Sequence, residues 1–192
     1  CALPILIAHL FGGRIDIAPY AAIAREHGIM LVEDCAQALL TADDSGSSLA
    51  DVSLFSFGPL KTATALGGGL AHVRQSELAA RMVALHDAWP RCRRAWYRRR
   101  VMKYLAFPPL MSPYAYGAFI RAIAASRRDV DATLNSFTRG FGHDSTHMLA
   151  VIRQRPPAAL LRMISHRLNR FPHQRLKRRA DSGRRLIEDR KS

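Results

Sequence analysis

Ile29-Met30-Leu31-Val32-Glu33-Asp34 is an apolar run that ends in two acids. It shows no alternation of apolar and polar residues, the pattern of a parallel β-strand covered on both faces. Ahead of it, Ile17 to His27 has helical spacing, with apolar residues at 17, 20, 21, 23 and 24, and Gly28 stands where a helix would stop. Ile5 to Ala8 is an earlier buried-strand candidate, followed by the turn His9-Leu10-Phe11-Gly12-Gly13. Downstream, Cys35 to Leu40 reads as a turn or short helix and Thr41 to Ser48 as a polar loop. Val52 to Phe57 is the next strand, and Gly69 to Val73 another after the turn Gly67-Gly68-Gly69. Strands alternating with helices predict an α/β domain with a mostly parallel sheet, whose ligands bind outside the carboxyl ends of the strands. Asp34 and the segment leading into Lys61 both fall at such ends.

Lys61 stands out by type. The chain has 25 arginines and 4 lysines, yet the one cation between Ser53 and Val73 is a lysine. A guanidinium stays charged under any protein condition, whereas a lysine amine can lose its proton and attack a carbonyl. An acid at one strand end and a lysine after a second strand are what a covalently held aldehyde cofactor would need.

Glu33-Asp34-Cys35-Ala36-Gln37-Ala38, then Asp51-Val52-Ser53-Leu54-Phe55-Ser56-Phe57-Gly58-Pro59-Leu60-Lys61 and Gly67-Gly68-Gly69, resembles the DegT/DnrJ/EryC1/StrS family of pyridoxal-phosphate aminotransferases. His9-Leu10-Phe11-Gly12 and the helix before Gly28 match the family's order too, so the resemblance covers residues 5–75. It implies a partial large domain of the aspartate aminotransferase type. It also implies amino transfer from an amino acid to a nucleotide-linked keto sugar, with pyridoxal 5'-phosphate as cofactor. The family builds its sites at a homodimer interface.

The same resemblance gives each matched residue a role. Lys61 would bond the cofactor aldehyde and then, as a free amine, move the proton. Asp34 would hold the pyridine nitrogen protonated. Gln37, one helical turn on, would lie near the ring oxygen, and Ser56 would donate its hydroxyl to the cofactor phosphate. A lysine at position 61 argues against the dehydrating relatives, which carry histidine there. Thr62 and a plain glycine run stand where the family usually has an asparagine and a glutamate. The triple glycine is expected to permit tight backbone packing rather than to bind phosphate.

Family members run about twice this length. The start, Cys1-Ala2-Leu3-Pro4, reads as a strand entered midway, so a fragment is expected. Residues 1–75 would be the cofactor-binding part of the large domain and 76–192 a helical, basic region leading toward a small C-terminal domain. The alternatives are a truncated, noncatalytic remnant of the family, or a basic module in which Trp89 to Tyr104 and the Arg-rich C-terminal helices bind nucleic acid or an anionic membrane surface.

Composition bounds the rest. With 192 residues and 48% hydrophobic content, the chain can bury a sizeable core. No apolar run approaches the ~20 residues of a membrane-spanning helix. Three scattered cysteines give neither a disulfide framework nor a metal-binding spacing, so a reducing cytoplasm is expected. The net charge of +14 is uneven. Residues 1–70 hold three Lys/Arg against seven Asp/Glu, while 71–192 hold 26 against 8. Such a basic region can attract nucleic acid, anionic lipid or phosphorylated substrates, and a genome that prefers arginine codons is the plainer source.

Beyond Val73, Ser76 is a good N-cap for a helix over Glu77 to Trp89, which Pro90 ends. Arg91 to Tyr104 is basic, with Trp96, Tyr97 and Tyr104 interleaved, and carries no recognised nucleic-acid motif. Further helices are expected around 114–125, 145–154, 158–170 and 175–188, with a polar loop over 129–144. His143, Asp144, Ser145 and His147 crowd one loop and helix start, where Asp144 or Ser145 simply caps.

Overall fold

The structure, a computed structural model, describes residues 3–105 and 152–174, with positions 112, 114, 117, 118, 120, 121, 176, 178 and 181. The helices expected around 114–125, 145–154 and 175–188, the loop over 129–144, and the group from His143 to His147 lie largely or wholly outside the described residues.

Four strands, β1 (Ile5–Ala8), β2 (Leu31–Asp34), β3 (Val52–Ser56) and β4 (Gly69–Val73), form one sheet in the order β1-β2-β3-β4. β1 pairs parallel to β2 and β2 parallel to β3, while β4 returns antiparallel to β3. The sheet is mostly parallel, as the alternation of strand and helix signals predicts.

Helix α1 (Ala18–Glu26) supplies the crossover between β1 and β2. Asp16 opens it by accepting the Ala18 N–H at 2.9 Å, and Pro19 suits the first turn, where an N–H has no helical partner anyway. Gly28 closes it with φ +61°: its N–H reaches the Arg25 carbonyl, and the Ile29 N–H reaches Ala24 at 2.8 Å. That paired closure needs a left-handed residue, which is why the glycine stands there. Ile17, Ala21 and Ala24 on one side of α1 pack with Ile7, Leu31 and Ala50. Each large aliphatic removed from water contributes roughly 1.5–3 kcal/mol.

The other face of the sheet corrects one expectation. Among the described residues, β2 is covered more fully on one face than on the other: Leu31 and Glu33 are buried, whereas Val32 and Asp34 are half-exposed. Residues in register share a face, so Leu6 and Val32 lie with Val52 on the other side, and Ala8, Asp34 and Leu54 follow them two residues on. Leu6 is 61% exposed there. The run lacks alternation because Met30 and Val32 are apolar although they face outward.

Among the described residues, three more helices follow: α2 (Ser76–Asp87), α3 (Arg94–Leu105) and α4 (Ala158–Asn169). The chain parts into two compact units, Cys1–Met82 with Leu160–Ser192, and Val83–Ala159. In the first unit, Leu160 and Ile164 of α4 lie against Gly68, where an added Cβ would come within 2.9 Å of Ile164 Cδ1. The glycine turn serves close packing. In the second unit, Arg155 holds Asp87 at 2.9 Å, and its backbone bridges Pro90 and Cys92.

Candidate active site

The carboxyl ends of β1, β2 and β3 open onto one edge of the sheet. Asp34 is the last residue of β2, in register with Ala8 on one side and Leu54 on the other. Ser56, two residues beyond Leu54, ends β3 and therefore shares a face with Asp34. Strand spacing and rise put their Cα atoms roughly 8 Å apart. This is the open face, not the one covered by α1.

Asp34 is half-buried. One carboxylate oxygen accepts the Ala36 N–H at 2.8 Å, which turns the chain out of the strand. The other carboxylate oxygen has no hydrogen-bond donor among the described residues. Gln37 does not lie on a helix: Cys35 to Gln37 is a turn, closed by the Ala38 N–H on the Cys35 carbonyl at 3.0 Å. Its exposed amide takes the Phe11 N–H at 3.3 Å and so ties the turn after β1 to the turn after β2. Phe11 sits at φ 55° beside Gly12 at φ 83°, a tight left-handed corner.

Lys61 rides on the loop between β3 and β4. Gly58-Pro59-Leu60-Lys61 is a turn whose Lys61 N–H meets the Gly58 carbonyl at 3.1 Å, with proline preset for its second position. Phe57 clips the loop at its base: its N–H reaches Gly68, and its carbonyl accepts from Ala65 and Gly67. Phe57, Ala63 and Ala65 are buried, which anchors the loop. A Cβ added at Gly58 would lie 3.7 Å from both Lys61 Cγ and Ser56 Oγ. The lysine stem and the serine hydroxyl therefore flank the same small space. Lys61 Nζ has neither an ion pair nor a hydrogen bond among the described residues. The Ser56 oxygen receives only a long 3.4 Å contact from Gly58 N–H and keeps its own proton to donate.

A second polar cluster was not assigned from the sequence. Glu33, one residue before Asp34, points to the opposite, covered face and is fully buried. It accepts from Ser53 Oγ at 2.5 Å, Ser47 N at 2.5 Å and His9 Nε2 at 3.0 Å. Because the Ile15 N–H donates to His9 Nδ1 at 3.3 Å, the ring proton must sit on Nε2 and face the carboxylate. Burial pushes the Glu33 pKa up. The bonds from Ser53, His9 and Ser47, with the Arg14 charge, outweigh it and hold the group below 4.5. Arg14 is itself clamped by Asp44 at 2.6 Å.

His9, Glu33 and Cys35 bring ligand-type atoms within 4.8 Å of one another. This cluster is nonetheless a hydrogen-bonded pin rather than a cation site. Both His9 nitrogens are engaged, and burial, with the Glu33 charge, pushes the Cys35 thiol up to about 12. Strand parity was the available signal, since His9, Glu33 and Cys35 all alternate onto the covered side.

The arrangement offers one face carrying a carboxylate oxygen and a hydroxyl, with the stem of Lys61 beside that hydroxyl. A rigid polar pin holds the strands behind it.

Comparison with known proteins gives this edge its context. Residues 3–104 match the model of the DegT/DnrJ/EryC1/StrS aminotransferase family. A UDP-N-acetyl-3-dehydro-alpha-D-glucosamine 3-aminotransferase of Acidithiobacillus ferrooxidans is 36% identical over 91 residues, 44% of this chain and 24% of that protein. The L-glutamine:2-deoxy-scyllo-inosose aminotransferase of Streptoalloteichus tenebrarius is 38% identical over 81 residues, 41% of this chain and 19% of that protein. Among solved structures, the aminotransferase TlmJ from Streptoalloteichus hindustanus aligns at 31% identity with a TM-score of 0.39, covering 44% of this chain and 24% of that one. The stretch shared with these relatives is thus about a quarter of their length or less. With its family signature spanning more than half of its residues, the chain belongs to the DegT/DnrJ/EryC1/StrS aminotransferase family.

Proposed function

We propose that this chain contributes the cofactor-binding edge of a pyridoxal-phosphate-dependent aminotransferase that moves an amino group from an amino acid to a nucleotide-linked keto sugar. The observation that carries the reading is the shared face of Asp34 and Ser56, with the Lys61 stem folded back beside the serine.

The residues suit the group. Pyridoxal phosphate presents a basic ring nitrogen, an aldehyde and a dianionic phosphate. Among the described residues, the edge carries a carboxylate oxygen without a donor, an amine without a counter-ion and a hydroxyl with a proton to give. When bound, the cofactor supplies an electron sink for the pair released as a C–H bond next to nitrogen breaks. Asp34 would hold the proton on the ring nitrogen. Lys61 Nζ would tether the aldehyde carbon, then take the proton from the substrate carbon and return it. Ser56 Oγ would donate to a phosphate oxygen. Gln37 uses its oxygen on the Phe11 N–H and keeps its NH2 group for the ring oxygen.

The nucleotide-sugar substrate is drawn from the relatives' names, which include that UDP-sugar aminotransferase and a GDP-perosamine synthase of Vibrio cholerae. The amino-acid donor, a homodimeric assembly and a cytoplasmic setting belong to the same proposal. Free thiols at Cys35 and Cys92 suit a reducing compartment.

Titrating the purified chain with pyridoxal phosphate tests the reading. A visible absorption band should appear, vanish in Lys61→Ala and weaken in Asp34→Asn. Asp34→Asn should leave stability within about 0.5 kcal/mol, since an amide oxygen still accepts the Ala36 N–H. No band, or one indifferent to position 61, would refute it.

A further inference from the structure

Helix α3 belongs to the second unit and takes no part in the site described above. Between Asp87 and Asp129 the chain has ten Lys/Arg and no Asp/Glu. A preference for arginine codons explains why the cations are arginines. It does not explain the missing acids. Asp87, the last acid before this stretch, is already taken by Arg155 at 2.9 Å.

On α3, Tyr97 is buried and marks the inner side, with Val101 and Tyr104 following it at helical spacing. The outer side carries Arg94, Arg98 and Arg99, all exposed. Set among them are Met102, 66% exposed, and Leu105, 64% exposed. Met102 follows Arg99 by three residues and Arg98 by four, so it lies between their stems, and Leu105 continues the row. Trp96 is 39% exposed, with the Arg100 guanidinium 5.2 Å from its ring centroid.

We propose that α3 docks onto an anionic phospholipid surface. Its arginines would meet the lipid phosphates while Met102 and Leu105 enter the boundary between headgroups and acyl chains. Arginine stems can lie along apolar surface with their heads in water, so arginines on either side of Met102 and Leu105 suit a phosphate-bearing interface. Two observations favour lipid over nucleic acid. Exposed aliphatic tips find no partner on a phosphodiester backbone. The aromatics that would stack on bases already carry cations, Arg100 over Trp96 and Lys103 5.9 Å from Tyr104.

The test is flotation of the 192-residue chain with vesicles of phosphatidylcholine alone and of phosphatidylcholine mixed with phosphatidylglycerol, across a salt series. Binding is expected to the mixed vesicles only. Each arginine near the surface should be worth about fivefold in partitioning, so R94Q/R98Q/R99Q should weaken it about a hundredfold. M102S/L105S keeps every charge and should still lose about tenfold, most visibly at high salt, where the apolar contribution remains. R162Q/R167Q/R170Q removes the same charge from the exposed side of α4 and its end and should change binding little. Circular dichroism confirms that each variant keeps its helices.

Equal losses from the two arginine triples would overturn the proposal, as would wild-type binding by M102S/L105S. Binding to single-stranded RNA that M102S/L105S leaves intact and vesicles fail to displace would also overturn it, in favour of a nucleic-acid face.

Discussion

Replacing Glu33 with glutamine tests whether the buried pin behind the site holds the strands together. The amide has the same shape, so packing is unchanged and the effect is electrostatic. Its oxygen can keep the Ser53 and Ser47 donors, now as neutral bonds. Its NH2 group must then face His9 Nε2, which carries a proton because Nδ1 is occupied by the Ile15 N–H. Moving the ring proton to Nδ1 would only transfer the clash to Ile15. One buried donor is therefore orphaned whichever tautomer forms, at about 1–3 kcal/mol. Two charge-assisted bonds weaken, costing about 0.5–1 kcal/mol each. Relief of the buried charge returns part of this, so the net loss should be about 2–3 kcal/mol, read as a lower urea midpoint at unchanged slope. Because the folded-state pKa is lowered, this stabilisation is complete above 4.5 and lost as the pH falls through the lower folded value. The gap between wild type and Glu33→Gln should narrow over that acidic window. A loss under about 0.5 kcal/mol at neutral pH, or a gap constant into acid, would show that the carboxylate is not the pin.

Gly46→Ala should cost about 3 kcal/mol, because φ is +79° and the new Cβ would fall onto Glu33 Oε1 and Ser53 Oγ. Gly28→Ala, with φ +61° and nothing within 4 Å, should cost only the backbone strain of about 1 kcal/mol; equal urea midpoints for the two variants would contradict this. Cys35, fully buried with its thiol pushed up to about 12, should resist alkylation in the native state and label only on unfolding, whereas half-buried Cys92 should label first. Mass spectrometry of native chain treated with a maleimide gives the order.

Much of the strand placement was readable because parallel strands in this fold are short apolar runs separated by breakers, and Gly28 and Gly67–Gly69 stood where the chain turns. Two features were hidden for physical reasons. Outward-facing Val32 and Met30 are apolar, so the run from Ile29 gave no period and the open face of the sheet did not show. Glu33 and Asp34 are adjacent acids of similar chemistry, and only strand parity separates the buried pin from the carboxylate on the open edge. Gln37 was expected one helical turn after Asp34. Hydrogen bonding in the turn from Cys35 and the Phe11 N–H hold it in a loop instead. Lys61 and Ser56 were visible as residue types, but their proximity depends on the Pro59 turn, which spacing alone does not describe.

The most direct test of the account is borohydride trapping of pyridoxal phosphate on the native chain, followed by peptide mass spectrometry. Only four lysines compete, at 61, 103, 177 and 191. The account predicts a reduced, covalently attached cofactor on Lys61 alone, with the other three unlabelled and no label in Lys61→Ala. Label spread over all four lysines, or its absence from Lys61, would contradict it.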